Sequence, residues 1–291
     1  MTNISIYPLS LYQKKIEGIL IDYIPRLGPK NSLRDACEYA LLNGGKRFRP
    51  ALVMMVAEAL SSGADVQFAA LAIELLHTAS LIADDLPCMD NEEFRRNHPT
   101  LHKKYNEATA VLVTYSLIAA GYECLAKNAA VIKKSALPFA GNADAICVAA
   151  LENASFNTGL FGASGGQYLD IFTPDLSLPT LLDIIRKKTV SLFEVSFLLG
   201  WLYGGGSLDR LNQVKQAAGH FGMAFQIADD LGDIEQDNLN GRLVNIAAVF
   251  GKERAQEVLE QEVQGYLQTL KDLKIDSKEL CHLAVLLRSK Q

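Results

Sequence analysis

Between residues 65 and 85 the apolar side chains fall at Phe68, Leu71, Ala72, Leu75, Leu76, Ala79 and Ile82. Steps of three and four residues line one face of an α-helix, whereas a strand would throw members of this set to opposite faces. The spacing therefore predicts a helix with one buried stripe. Stretches rich in helix formers predict further helices over 50–60, 106–127, 144–156, 178–203, 208–233 and 252–273, and strand-like alternation is scarce. Gly44-Gly45, Pro87, Pro99, Pro138, Gly165-Gly166, Pro174 and Gly204-Gly205-Gly206 fall between these stretches, where helix breakers belong. No repeat or low-complexity linker divides the chain, and 291 residues with 49% hydrophobic content supply a sizeable core. The expectation is an all-α protein, one helical bundle forming a single domain over residues 1–291.

The formal charge of −5 and the isoelectric point near 5.6 speak against a nucleic-acid partner, which needs a cationic field or a dense basic stripe. Any anionic ligand must meet local cations instead. Cys37, Cys88, Cys124, Cys147 and Cys281 are odd in number, scattered and free of a Cys-x-x-Cys pair, so neither a disulfide framework nor a zinc site is expected. A reducing, cytoplasmic setting fits that usage, and the first residues lack the basic segment and apolar run of a secretory signal. Residues 108–126 and 189–203 look membrane-like, yet each is short for a span and carries a glutamate, Glu123 or Glu194. Buried helices of a soluble bundle account for both, and no transmembrane segment is expected.

Asp84-Asp85-Leu86-Pro87-Cys88-Met89-Asp90 closes the striped helix and is followed by Arg95-Arg96. Carboxylates are badly placed at a helix C-terminus, which favours cations, and two like charges at ~4 Å repel by roughly 4 kcal/mol at an effective dielectric near 20. A second cluster, Asp229-Asp230-Leu231-Gly232-Asp233, ends another largely apolar stretch, with Asp229 and Asp233 one turn apart on one face. Hard oxygen ligands that leave room for water and phosphate suit Mg²⁺, whereas a calcium loop needs alternating ligands and a closing Glu. A solvated helix end or cap would explain one Asp pair; it explains two such clusters beside arginines poorly. Lys46, Arg47 and Arg49 read either as a solvated loop or as phosphate ligands beside a helix beginning at Pro50.

Five segments occur in order: Gly44-Gly45-Lys46-Arg47-Phe48-Arg49-Pro50; His77 through Asp90 with Arg95-Arg96; Gly165-Gly166-Gln167-Tyr168-Leu169-Asp170; Lys188-Thr189; and Phe225-Gln226 leading to Asp229-Asp230 and Asp233. With them the chain closely resembles the trans-polyprenyl diphosphate synthases, the farnesyl and geranylgeranyl diphosphate synthase family, over nearly its whole length. The resemblance implies an isoprenoid-synthase-type bundle around a deep central cavity, with the two clusters facing each other across it. It implies that Asp84, Asp85, Asp90, Asp229, Asp230 and Asp233 hold three Mg²⁺ ions around an allylic diphosphate, with Arg95 and Lys188 adding positive charge. Lys46, Arg49, His77 and Arg96 are the implied ligands of isopentenyl diphosphate, acting as local cations. Thr189 and Gln226 would offer dipoles near the allylic cation, and Gln167 would touch substrate, although both glutamines also read as hydrogen-bonded core amides. A homodimer is implied by the family alone.

The chain also departs from the family pattern. Thr114-Tyr115 stands where Gly-Asp is common, Ala83 replaces a frequent His before Asp84, and Gly241-Arg242-Leu243-Val244 replaces Gly-Lys-x-Thr, putting Arg242 in a lysine's place as diphosphate ligand. About one turn before Asp84 lie the small residues Ala79 and Ser80, where relatives that stop at farnesyl often carry an aromatic floor. With the Pro87-Cys88 insertion this resembles a geranylgeranyl synthase more than a farnesyl one, and longer polyprenyl products stay open. The rival readings are a non-catalytic, prenyl-synthase-like regulatory subunit and a terpene cyclase.

Overall fold

The computed structural model describes residues 9–232 and 245–289. The chain runs through α1 (Leu9–Tyr23), α2 (Ser32–Leu42), α3 (Phe48–Ala59) and α4 (Gln67–Asp84), then a hairpin of β1 (Phe94–Arg95) and β2 (His98–Pro99), and the short α5 (Leu101–Lys104). It continues through α6 (Glu107–Lys133), α7 (Ala143–Thr158), α8 (Ala163–Ile171) and α9 (Leu178–Ile185), which passes by a π-helical turn (Arg186–Val190) into α10 (Ser191–Tyr203). After α11 (Leu211–Gly232), the second described stretch holds α12 (Ile246–Phe250), α13 (Lys252–Leu273) and α14 (Lys278–Arg288). The all-α bundle expected from the apolar spacing is the fold observed.

Every residue of α10 except Glu194 is buried. A helix apolar on all sides belongs at the centre of a bundle, and α10 packs on α3, α4, α7 and α11. Around it, α4 lies along α6 and α11 along α13. The helix buries Leu71, Ala72, Leu75, Leu76, Ala79 and Ile82 of the predicted face, and also Ala69, Ala70, Ile73, Glu74 and Thr78 on its other sides, so α4 is sunk in the bundle rather than buried along one stripe. The spacing of Leu9, Tyr12, Ile16, Leu20 and Tyr23, buried along α1, is a helical stripe of the same kind outside the predicted set.

The helix predicted over 178–203 is helical throughout those bounds, with a π turn between α9 and α10, a one-residue bulge that apolar periodicity cannot register. Three sequence expectations need correction. Gly165-Gly166 lies inside α8 and not between helices. Pro50 is the third residue of α3, which starts at Phe48; a first-turn proline loses no helical hydrogen bond. The helix predicted over 106–127 runs on to Lys133, and α6 is the one described helix long and apolar enough to cross a membrane. Its Ala110, Val113, Leu117, Cys124, Leu125 and Ile132 are buried and it packs against α4 and α7. Asp233 and Arg242 lie outside the described residues.

Candidate active site

At the C-terminus of α4 the chain folds back on itself: the Asp90 N–H donates to Asp84 O at 2.9 Å, and Asn91, in the left-handed region at φ 52°, donates to Leu86 O at 3.1 Å. The turn returns Asp90 towards Asp84. Asp85 is buried and faces Arg95 of β1, whose Nε lies 2.7 and 2.9 Å from the two carboxylate oxygens. Burial raises the Asp85 pKa while Arg95 opposes the rise. Asp84 behaves differently. Its carboxylate makes no hydrogen bond or ion pair among the described residues, and burial pushes its pKa up to about 7, against the pull of Lys188 and with further repulsion from Asp90.

Lys188 and Thr189 sit on the π turn, which ties the two halves of the site together. The Lys188 ammonium pairs with Asp170 of α8 and acts on Asp84. Thr189 Oγ1 donates to Gln226 Oε1 of α11 at 2.8 Å, and Gln226 Nε2 donates to Asp230 Oδ1 at 2.8 Å. Helix α8 approaches the turn backbone to backbone: a Cβ on Gly166 would stand 2.3 Å from Lys188 N. The next residue, Gln167, is 5% exposed and donates through Nε2 to Asp90 Oδ1 at 3.0 Å, while its Oε1 is buried without a partner among the described residues.

A basic region lies alongside. The positive φ of Arg47, 48°, turns its side chain into the core, where it binds Glu17 at 2.6 Å, Glu74 at 2.5 Å and Leu41 O at 2.5 Å. Arg47 is therefore a buried strut and not part of a solvated loop, while Lys46 before it is exposed. Arg49 stacks over the Phe193 ring at 4.6 Å and touches His77 at 3.3 Å; its Nε and His77 Nδ1 are buried without partners among the described residues. Burial lowers Arg49 to about 10, which leaves it charged at neutral pH. His77 is driven well below its usual range, first by burial and then by Arg49, Arg96, Arg95 and Arg47. Burial and the neighbouring arginines favour its neutral, hydrogen-bonding form in this arrangement. Gly45, at φ 125°, lies against the Arg96 guanidinium, which donates to Gly44 O.

Sequence reasoning missed Asp170 as the partner of Lys188, Phe193 as the plate under Arg49, and Glu74 as the anion holding Arg47. Asp170 had a signal: on a helix it stands one turn after Gln167, but reading Gly165-Gly166 as a break hid the helix. Ala79 and Ser80 separate in space. Ala79 is fully buried and sits five residues before Asp84, about 140° round the helix from it, whereas Ser80 shares the partly exposed stripe of His77 and Asp84. Thr114 is buried and Tyr115 exposed on α6.

Among the described residues no three His, Cys, Asp or Glu side chains enclose a cation by themselves. The donor set nevertheless fits Mg²⁺, which binds a few carboxylates and completes its shell with water and phosphate oxygens. The half-buried carboxylate of Asp84, without an ion-pair or hydrogen-bond partner among the described residues, is the observation that calls for a cation. A cavity of about 460 Å³ lies elsewhere, against Arg186, Lys187, Glu194 and His220, and Asp84 and Asp229 do not line it.

The polyprenyl synthetase family signature matches residues 30–242. A chloroplastic geranylgeranyl pyrophosphate synthase of Capsicum annuum is 36% identical over 210 residues, 71% of this chain, which spans about half (54%) of that protein's length. A farnesyl diphosphate synthase of Geobacillus stearothermophilus is 30% identical over 97% of this chain and 96% of its own. The crystal structure of a geranyltransferase from Helicobacter pylori superimposes with a TM-score of 0.77 at 32% identity, covering 98% of both chains. One from Legionella pneumophila gives 0.80 at 27% identity, covering 97% of this chain and 95% of that one. Fold, matched segments and converging side chains agree, and the chain belongs to the polyprenyl synthetase family.

Proposed function

We propose that this protein is a trans-prenyltransferase that condenses isopentenyl diphosphate with an allylic diphosphate, giving geranylgeranyl or farnesyl diphosphate. One observation carries the reading: the π turn brings Lys188 to bear on Asp84 of the first cluster and bonds Thr189 to the helix of the second. Asp84, Asp90 and Asp229 would hold Mg²⁺, whose chemistry when bound is neutralisation of the departing diphosphate. Lys188 adds positive charge on the same side. Isopentenyl diphosphate sits at Arg49, His77, Arg96 and Lys46, with the unpartnered Arg49 Nε and His77 Nδ1 as the seats that an anion would fill. Its double bond attacks the allylic cation, and the proton released leaves with the diphosphate. Thr189 and Gln226 present dipoles to the cation, so no nucleophilic side chain is required.

The chain is further proposed to act as a single-domain cytoplasmic homodimer. Exposed Leu112, Tyr115, Phe156 and Phe161 along α6, α7 and the loop after α7 support a second copy as partner. Purified protein with Mg²⁺, isopentenyl diphosphate and dimethylallyl, geranyl or farnesyl starters should release diphosphate and lengthened products, read by mass spectrometry. Asp84→Ala and Asp229→Ala should each lose turnover by orders of magnitude with the helical fold kept. Inertness of the wild type would favour a regulatory subunit, and cyclic products without isopentenyl consumption a terpene cyclase.

A further inference from the structure

Asp230 carries the same chemistry as Asp229 but a different environment. It is 5% exposed, and the described structure already engages both of its oxygens: Oδ1 accepts from Gln226 Nε2 at 2.8 Å and Oδ2 from the Ile246 backbone N–H at 2.9 Å. Its carbonyl oxygen accepts from Asn245 Nδ2 at 3.1 Å, and Asn245, fully buried, caps α12 by accepting from Ala248 N at 2.8 Å. One residue thus fastens the start of α12 to the end of α11.

The same carboxylate sets a hydrogen-bond polarity. An ionised Asp can only accept, so Gln226 must turn its NH₂ towards Asp230 and its carbonyl towards Thr189. A carbonyl can only accept in turn, so the Thr189 hydroxyl must donate, and its proton is committed away from the site. The Thr189 oxygen is left with its lone pairs for whatever positive charge develops beside the π turn. Reversing the polarity would aim a proton at that charge instead.

The geometry points to Asp230 as a positioning residue, the anchor of an Asp230–Gln226–Thr189 relay that orients the Thr189 dipole and docks α12, with cation binding in this cluster left to its neighbours. The assignment rests on the proposed prenyl transfer only for its consequence on rate; the relay itself is a structural claim.

Two substitutions separate an anchor from a metal ligand. In Asp230→Asn the new NH₂ either meets Gln226 Nε2 donor against donor or forces the Gln226 amide to turn over, which weakens the link to Asp230 and reverses the polarity at Thr189. In the double variant Gln226→Glu with Asp230→Asn the described bonds of the relay are restored with the charge moved one turn back along α11. The Ile246 N–H then donates to the amide oxygen at position 230, the amide NH₂ at position 230 donates to the carboxylate at position 226, and the Thr189 hydroxyl donates to that same carboxylate. Calorimetry of inorganic pyrophosphate with Mg²⁺ reads cation binding, melting temperature reads the relay, and steady-state kinetics reads the dipole.

Asp230→Asn is expected to lower kcat about a hundredfold and to lower the melting temperature, while the half-saturating Mg²⁺ concentration moves less than about twofold. The double variant is expected to recover the melting temperature and bring kcat to within about tenfold of wild type. Asp229→Asn should raise the Mg²⁺ requirement by about tenfold or more. The assignment is overturned if Asp230→Asn raises the Mg²⁺ requirement as Asp229→Asn does, or if the double variant recovers neither stability nor rate. A wild type unable to consume isopentenyl diphosphate would defeat the proposed function alone; the melting temperatures would still decide the relay.

Discussion

Arg49 Nη1 lies 3.3 Å from His77 Nε2, a guanidinium against an imidazole with the Phe193 ring beneath the guanidinium. Burial first, and then Arg49 and the neighbouring arginines, hold His77 in its neutral form in the folded chain. The unfolded chain takes up a proton there near the ordinary value of 6.5. Below that pH the unfolded state binds more protons than the native one, so the stability present above pH 6.5 is lost as pH falls, with a slope approaching about 1.4 kcal/mol per pH unit for one site. Urea midpoints from pH 7.5 to 5 should fall less steeply for His77→Gln than for the wild type. Equal slopes would assign the acid sensitivity to another group.

Asp85 and Arg95 make the second test. Arg95→Gln would strand a buried carboxylate, and with Arg95 itself partly exposed the loss should be about 2 kcal/mol in urea denaturation. Arg95→Lys restores the charge but not the two-pronged contact, so its stability should fall between the two.

Product length should depend on Ser80 more than on Ala79. Ser80→Phe places an aromatic ring on the stripe that carries His77 and Asp84 and should shift products one isoprene unit shorter by mass spectrometry. Ala79→Phe instead overpacks a fully buried site and should cost about 1–3 kcal/mol. A shortened product from Ala79→Phe with unchanged stability would reverse these roles.

Gly166→Ala should disable the site without touching an ionisable group. Its Cβ would meet Lys188 N at 2.3 Å and Lys187 C at 2.7 Å, backbone atoms that cannot rotate away. Displacing α8 from the π turn shifts Lys188, Asp170 and Gln167 together, and a shift on the order of 1 Å corresponds to about a hundredfold in kcat. The KM for isopentenyl diphosphate should change little, because Arg49 and His77 stand on α3 and α4. A wild-type kcat would remove the π turn from its proposed role.

The apolar rhythm of residues 68–82 and the composition around it were enough to determine an all-α bundle, because burial of one helical face depends on spacing alone. The two aspartate clusters and the basic segment before Pro50 were legible for a related reason: dense like charge at helix ends has few structural uses. What each charged residue does among its neighbours was not legible. Arg47 and Arg49 are two positions apart, yet one is a buried strut and the other keeps its buried Nε without a partner among the described residues; Asp84 makes no ion pair among those residues while Asp85 is clasped by Arg95. Asp230 was indistinguishable from Asp229 in the chain and acquired its hydrogen-bonded hub from Gln226 and Ile246. Those differences come from long-range packing and from a one-residue π bulge, and both depend on which backbones meet in space, a property no local spacing encodes.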